Sequence, residues 1–141
     1  FHGVEHRLEL VREIDGVRYI NDSIATAPER ALAALAAYDA PIILLAGGRD
    51  KDMQWETWAQ VVAQRVKHVI LFGELAELLE KKLADFAGVT RVETMAEAVG
   101  MASKTAVPGD LVLLSPGGTS YDAFKDFAER GEKFREMVNQ L

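Results

Sequence analysis

At 141 residues, with 49% hydrophobic and 27% charged side chains, the chain has the size and composition of one globular domain with a core of its own. The absence of cysteine excludes a disulfide framework, a cysteine-ligated metal and a cysteine nucleophile, and a net charge of −6 with Lys and Arg scattered among the acids argues against a nucleic-acid partner. No apolar run is long enough to span a bilayer and no signal-peptide pattern opens the chain, so a cytoplasmic protein is expected, and the first residue, Phe1, suggests a piece of a longer chain.

In chain order, "RLELVREIDGVRYIND" alternates apolar and polar residues on either side of Asp15-Gly16, which predicts a hairpin. "APERALAALAAY" follows as a helix, with Pro28 suited to its first turn and Glu29 to the positive end of its dipole. "PIILLAGG", residues 41–48, is a short apolar run stopped by two glycines, as in a strand buried on both faces. A helix is expected from Trp55 to Arg65, then a buried strand at "HVILFG" and a helix at "ELAELLEKKLADF". "TRVET" predicts a short strand and "MAEAVGMASKTA" a helix. "DLVLLSPGG" is a last buried strand, and "SYDAFKDFAERGEKFREMVNQL" a closing helix with apolar residues at helical spacing. The alternation predicts one α/β domain over residues 1–141, a three-layer Rossmann-like sandwich with a mostly parallel sheet and an N-terminal β-hairpin.

Ligands of such sheets bind beyond the carboxyl ends of the strands. Three segments there are rich in small and polar residues: "NDSIATAP", "AGGRDKD" and "SPGGTSYDAF". Each leads from a strand into a helix, where free backbone N–H groups favour an anion. Taken singly, each reads as a helix cap or a tight strand exit, with Ser23, Thr26 or Ser120 as the capping residue. Taken together, on neighbouring strands, they read as one ligand rim. Lys51, beside Gly47-Gly48, is a cation able to meet an anion, or else a surface lysine paired with Asp50 or Asp52. His68 reads as structural, and neither His2 nor His6 belongs to a recognisable metal motif. Trp55 and Trp58 read as core. No GxxxxGK[ST] or GxGxxG occurs, so nucleotide hydrolysis by this chain alone is not expected.

"INDSIATAP", "LLAGGRDKD" and "LLSPGGTSYDAFKDFAERGEKF", in this order and strand context, resemble the C-terminal domain of the D-glutamate-adding ligases of the Mur ligase family, over essentially the whole chain. The resemblance implies a ligase of peptidoglycan biosynthesis that uses ATP to activate the carboxylate of UDP-N-acetylmuramoyl-L-alanine for attack by the D-glutamate amine. It implies that Thr26, Lys51, Ser120, the backbone of Tyr121 and the region of Phe127 hold D-glutamate. Arg7 in "EHRLE" and Asp22 are implied to contact the nucleotide. It further implies that the ATP and Mg2+ sites, and the site for the UDP substrate, lie on central and N-terminal domains outside this chain. The chain alone would then be inactive and the whole enzyme a cytoplasmic monomer. Ile24 stands where the family often has lysine, and "SPGGTS" where it often has S-P-A-x-A-S; Arg49 is a candidate to restore the missing charge. A non-catalytic α/β module for a small anion, or another amino-acid ligase of the folylpolyglutamate type, are the alternatives.

Overall fold

A computed structural model describes residues 3–141. Its elements are β1 (Glu9–Ile14), β2 (Val17–Asn21), α1 (Pro28–Ala36), β3 (Ile42–Gly47), α2 (Glu56–Arg65), β4 (His68–Phe72), α3 (Ala76–Lys82), β5 (Val89–Arg91), α4 (Met95–Thr105), β6 (Leu111–Gly117) and α5 (Phe127–Asn139). The six strands form one sheet in the order β1-β2-β6-β3-β4-β5. The β1–β2 hairpin is antiparallel and every other pairing is parallel.

The sequence dictates this layering. β3 and β6, the two central strands, are buried along their whole lengths, so both faces must be covered by helices. The two faces carry separate cores. One joins Leu44, Ala46, Leu71 and Leu113 to Ala31 and Leu35 of α1, Trp58 and Val62 of α2, and Leu79 of α3. The other joins Ile43, Leu45, Ile70 and Val112 to Ala98 and Ala102 of α4 and to Phe134 and Val138 of α5. Alternation along each strand sends successive side chains to opposite faces, which is why neighbours such as Leu44 and Leu45 belong to different cores. Trp55 and Trp58 are both buried and meet edge to face, 5.3 Å between ring centroids.

The element boundaries differ from the sequence reading in three places. β5 begins at Val89, and Thr94 becomes the N-cap of α4 in a reciprocal capping box with Glu97. α3 stops at Lys82 although its periodicity runs on. The closing helix starts only at Phe127, because Asp126 caps it by accepting from the Glu129 N–H at 2.8 Å. The seven residues before it form turns, with the Ala123 and Phe124 amides donating back to the Ser120 carbonyl. Ser120 and Thr26 are therefore not helix caps: α5 is capped by Asp126, and the N-cap of α1 is Ala27, with no side-chain bond.

Candidate functional site at the carboxyl edge of the sheet

The strands β2, β6 and β3 are adjacent and parallel, so the segments that leave their carboxyl ends emerge side by side. Backbone hydrogen bonds then tie these segments together. The Gly117 amide donates to the Ala25 carbonyl at 2.9 Å. Arg49 and Thr119 exchange backbone bonds at 2.9 and 3.0 Å, forming a small antiparallel bridge beyond the parallel strands. Gly48 makes that bridge possible. Its φ is +109°, and a Cβ there would lie 2.2 Å from the Thr119 oxygen.

Thr26, Lys51, Ser120, Tyr121 and Phe127 all stand on this rim. Ser120 is 2% exposed, and its carbonyl accepts from the Ala123 and Phe124 amides. Lys51 is exposed at the tip of the second segment, and its ammonium lies 5.2 Å from the centroid of the Tyr121 ring. It is paired with neither Asp50 nor Asp52. Asp50 is occupied instead by the Met53 amide and the Trp55 indole N–H, at 3.0 and 3.1 Å, which fixes the loop below the lysine. Arg49 does not face the rim as a free charge. Its guanidinium, offered above as a replacement for the lysine expected at Ile24, makes two 3.1 Å bonds to the carboxylate of Glu74.

Arg7 and Asp22 meet on the neighbouring side. With Leu8, Ile24, Arg30 and Ala34 they line a hollow of about 230 Å³ between the N-terminal segment and α1. The backbone at Arg7 is held by reciprocal bonds with Val4 at 2.9 and 3.1 Å, and His6 and Leu8 on either side adopt φ of +63° and +47°. The Leu8 amide donates to Asp22 Oδ1 at 3.2 Å, and the Ser115 hydroxyl to Oδ2 at 2.8 Å. Burial pushes the Asp22 carboxyl up to about 6, against the opposing pull of these donors, Arg7 and Arg30. Below the loop, buried His6 meets the Asn21 side chain at 3.0 Å and packs edge-on against Phe127. Glu5, His6 and Glu132 bring ligand atoms within 4.8 Å of one another, but Nδ1 of His6 is already bonded to Asn21 and Glu5 to Arg135. His2 lies outside the described residues. His68 is structural, bonded to Thr90 across the β4–β5 pair at 2.7 Å.

Sequence reasoning missed Arg130. It is wholly buried, its Nε donating to Ser23 Oγ at 3.0 Å, its Nη2 to Ser23 O at 2.9 Å and its Nη1 to Gly118 O at 3.1 Å. An arginine on the polar-looking stretch "AERGEK" gives no local sign of burial; only the tertiary closure of α5 onto the rim reveals it.

The chain matches the family described as Mur ligase, glutamate ligase domain, over residues 6–118. This chain belongs to the Mur ligase family. Among its relatives, UDP-N-acetylmuramoylalanine--D-glutamate ligase of Symbiobacterium thermophilum is 48% identical over 144 residues, covering all of this chain and 32% of the relative. The corresponding ligase of Clostridium perfringens is 44% identical, again over all of this chain and 32% of its own length. The chain thus spans about a third of the length of these relatives. Among solved structures, the UDP-N-acetylmuramate-alanine ligase of Thermotoga maritima superposes with a TM-score of 0.68 at 15% identity, over 99% of this chain and 31% of the other. Escherichia coli FolC superposes at 0.69 with 18% identity, over 97% and 32%. At these identities the two structures share the fold, which confirms the three-layer, mostly parallel architecture of a Mur ligase domain.

Proposed function

We propose that this chain is the domain of a UDP-N-acetylmuramoylalanine--D-glutamate ligase that binds the incoming D-glutamate and closes over ATP. What carries the reading is the convergence of Thr26, Lys51 and Ser120 on one sheet edge, in a chain 48% identical over its full length to such a ligase.

D-Glutamate is a dicarboxylate with one amine. The rim offers what its carboxylates need: a cation at Lys51, hydroxyls at Thr26 and Ser120, and the Tyr121 amide at the head of a turn. Holding both carboxylates fixes the amine toward the activated carboxyl of UDP-N-acetylmuramoyl-L-alanine. ATP transfers its terminal phosphoryl group to that carboxyl. The D-glutamate amine then forms the amide bond while phosphate leaves. Arg7, from the neighbouring hollow, meets the ATP phosphates on closure, and Asp22 accepts from the nucleotide. ATP's remaining contacts, Mg2+ and the UDP substrate belong to the rest of the enzyme, a cytoplasmic monomer.

A free-standing anion-binding module is less well supported, because the relatives matched over the whole chain are ligases. A folylpolyglutamate-type ligase shares only the fold at 18% identity. Ligand-observed NMR with D-glutamate, L-glutamate and ATP tests the proposal: saturation transfer to D-glutamate but not L-glutamate is expected. Equal signals for both enantiomers, or none for either, count against it. In a coupled phosphate-release assay with all three substrates, the isolated chain should show no turnover.

A further inference from the structure

Arg130 touches all three segments of the rim. It donates twice to Ser23 in the first and once to Gly118 in the third. Against the second it packs so closely that a Cβ at Gly48 would lie 3.1 Å from its Nη1. The Ser23 hydroxyl in turn donates to the Phe127 carbonyl at 2.7 Å, closing a ring of contacts around the guanidinium. Every acceptor in that ring is neutral. Among the described residues Arg130 takes part in no ion pair, and Asp122 acts on it only from beyond ion-pair distance. Burial lowers its pKa to about 10, so the group is still charged at neutral pH.

A neutral donor would suffice to hold carbonyls and a hydroxyl together. Keeping a charge there, out of water and without an ion-paired carboxylate, is costly unless an anion comes close enough to feel it. Of the exposed cations on the second segment, Arg49 is paired with Glu74 and Lys51 lies against the Tyr121 ring. We propose that Arg130 is a positioning residue for anion binding: its fork sets the three loops in register, and its charge, held in no ion pair, makes the rim more positive from beneath. It does not touch the ligand. It acts through Ser23 and Gly118 on the neighbouring Thr26 and Ser120, and complements Lys51 from the buried side. The anion is the dicarboxylate amino acid of the proposed function, and the inference rests on that reading.

The test uses the whole ligase that carries this domain. Arg130→Met removes fork and charge, Arg130→Lys keeps a charge without the fork, and Ser23→Ala removes one acceptor and leaves the charge. Expected is a rise in the D-glutamate KM of about tenfold or more for Arg130→Met, less for Arg130→Lys and least for Ser23→Ala. The ATP KM should move by much less. A merely structural role gives equal effects of Met and Lys, with both KM values and kcat falling into line with the loss of Tm; that result overturns the proposal. Should neither Arg130 variant fold, Ser23→Ala decides, and an unchanged D-glutamate KM with unchanged Tm overturns it. Lys51→Ala separates the two levels. If it leaves the D-glutamate KM untouched, the proposed function fails; if it raises that KM while Arg130→Met does not, only this inference fails.

Discussion

Arg49 and Thr119 face each other across the carboxyl edge of the sheet and exchange backbone hydrogen bonds of 2.9 and 3.0 Å, although the strands that carry them run parallel. The bridge exists because Gly48 turns the chain back at a φ of +109° with the Thr119 oxygen where a side chain would be. It converts two independent strand exits into one rigid lip. Rigidity matters here, because a binding group displaced by an ångström loses much of its effect on orientation.

Gly48→Ala should therefore both destabilise the domain and loosen the rim. A methyl 2.2 Å from a carbonyl oxygen forces the backbone to move, and the positive φ adds strain of about 1–3 kcal/mol. Thermal melts should show a clear loss of Tm. In the whole ligase the D-glutamate KM should rise even at temperatures where the variant stays folded. A variant with unchanged Tm would show that the bridge is not formed as described.

Lys51 and Tyr121 give a cleaner functional test, since both are exposed and neither supports the core. The ring holds the ammonium 5.2 Å from its centroid, an interaction of about 0.5–1 kcal/mol at the surface. Tyr121→Leu should raise the D-glutamate KM about two- to fivefold with little change in kcat, as RT ln of that ratio matches the lost interaction. Tyr121→Phe keeps the ring and should behave as the parent. Equal KM values for the Leu and Phe variants would mean the ring does not place the lysine.

Arg49→Ala, by contrast, should leave the D-glutamate KM unchanged. Its charge is spent on Glu74, through an exposed pair with both side chains about half accessible, worth at most about 1 kcal/mol. The sequence offered Arg49 as a cation beside two glycines, and nothing in its neighbours gave away Glu74, 25 residues downstream. A large rise in KM would restore Arg49 to the rim.

The contrast between Arg49 and Arg130 marks what was legible. The hairpin at Asp15-Gly16, the buried strands and the order of the helices follow from local patterning, because each strand's burial is written in its own residues. The placement of Thr26, Lys51 and Ser120 along one edge follows from strand order once the sheet is parallel. The start of α5 did not follow. The "SYDAFKD" stretch carries helix-compatible residues, and the turn is imposed by the Asp126 cap and by bonds back to Ser120. Nor did the partners of the two arginines, which depend on contacts over 25 and 107 residues of chain.

Phe134 offers a control away from the rim. It is wholly buried in the core between α5 and the sheet, beside Val112 and Val138. Phe134→Ala should lower the unfolding free energy by about 3–5 kcal/mol through lost burial and a residual cavity. Because α5 also carries Arg130, the folded fraction should retain the D-glutamate KM of the parent if the helix keeps its place. A loss below about 1 kcal/mol in denaturant unfolding would contradict the packing described.

Asp22 makes the stability of the domain depend on pH in a stated direction. Burial raises its carboxyl from 3.8 to about 6 in the folded state, so the folded protein holds this proton more tightly than the unfolded chain does. The resulting stabilisation is complete below about pH 4 and is lost as the pH climbs through 6, by an amount on the order of 3 kcal/mol. Asp22→Asn has no proton to lose there. The difference in unfolding free energy between parent and variant should thus shift against the parent from pH 4 to pH 7, and then level off. Other acids titrate in both proteins alike and cancel in that difference. A difference that stays flat across this window would place the Asp22 carboxyl near its ordinary value. It would also remove the reason to expect that nucleotide affinity weakens below pH 6, where the protonated acid ceases to be a charged acceptor beside Arg7 and Arg30.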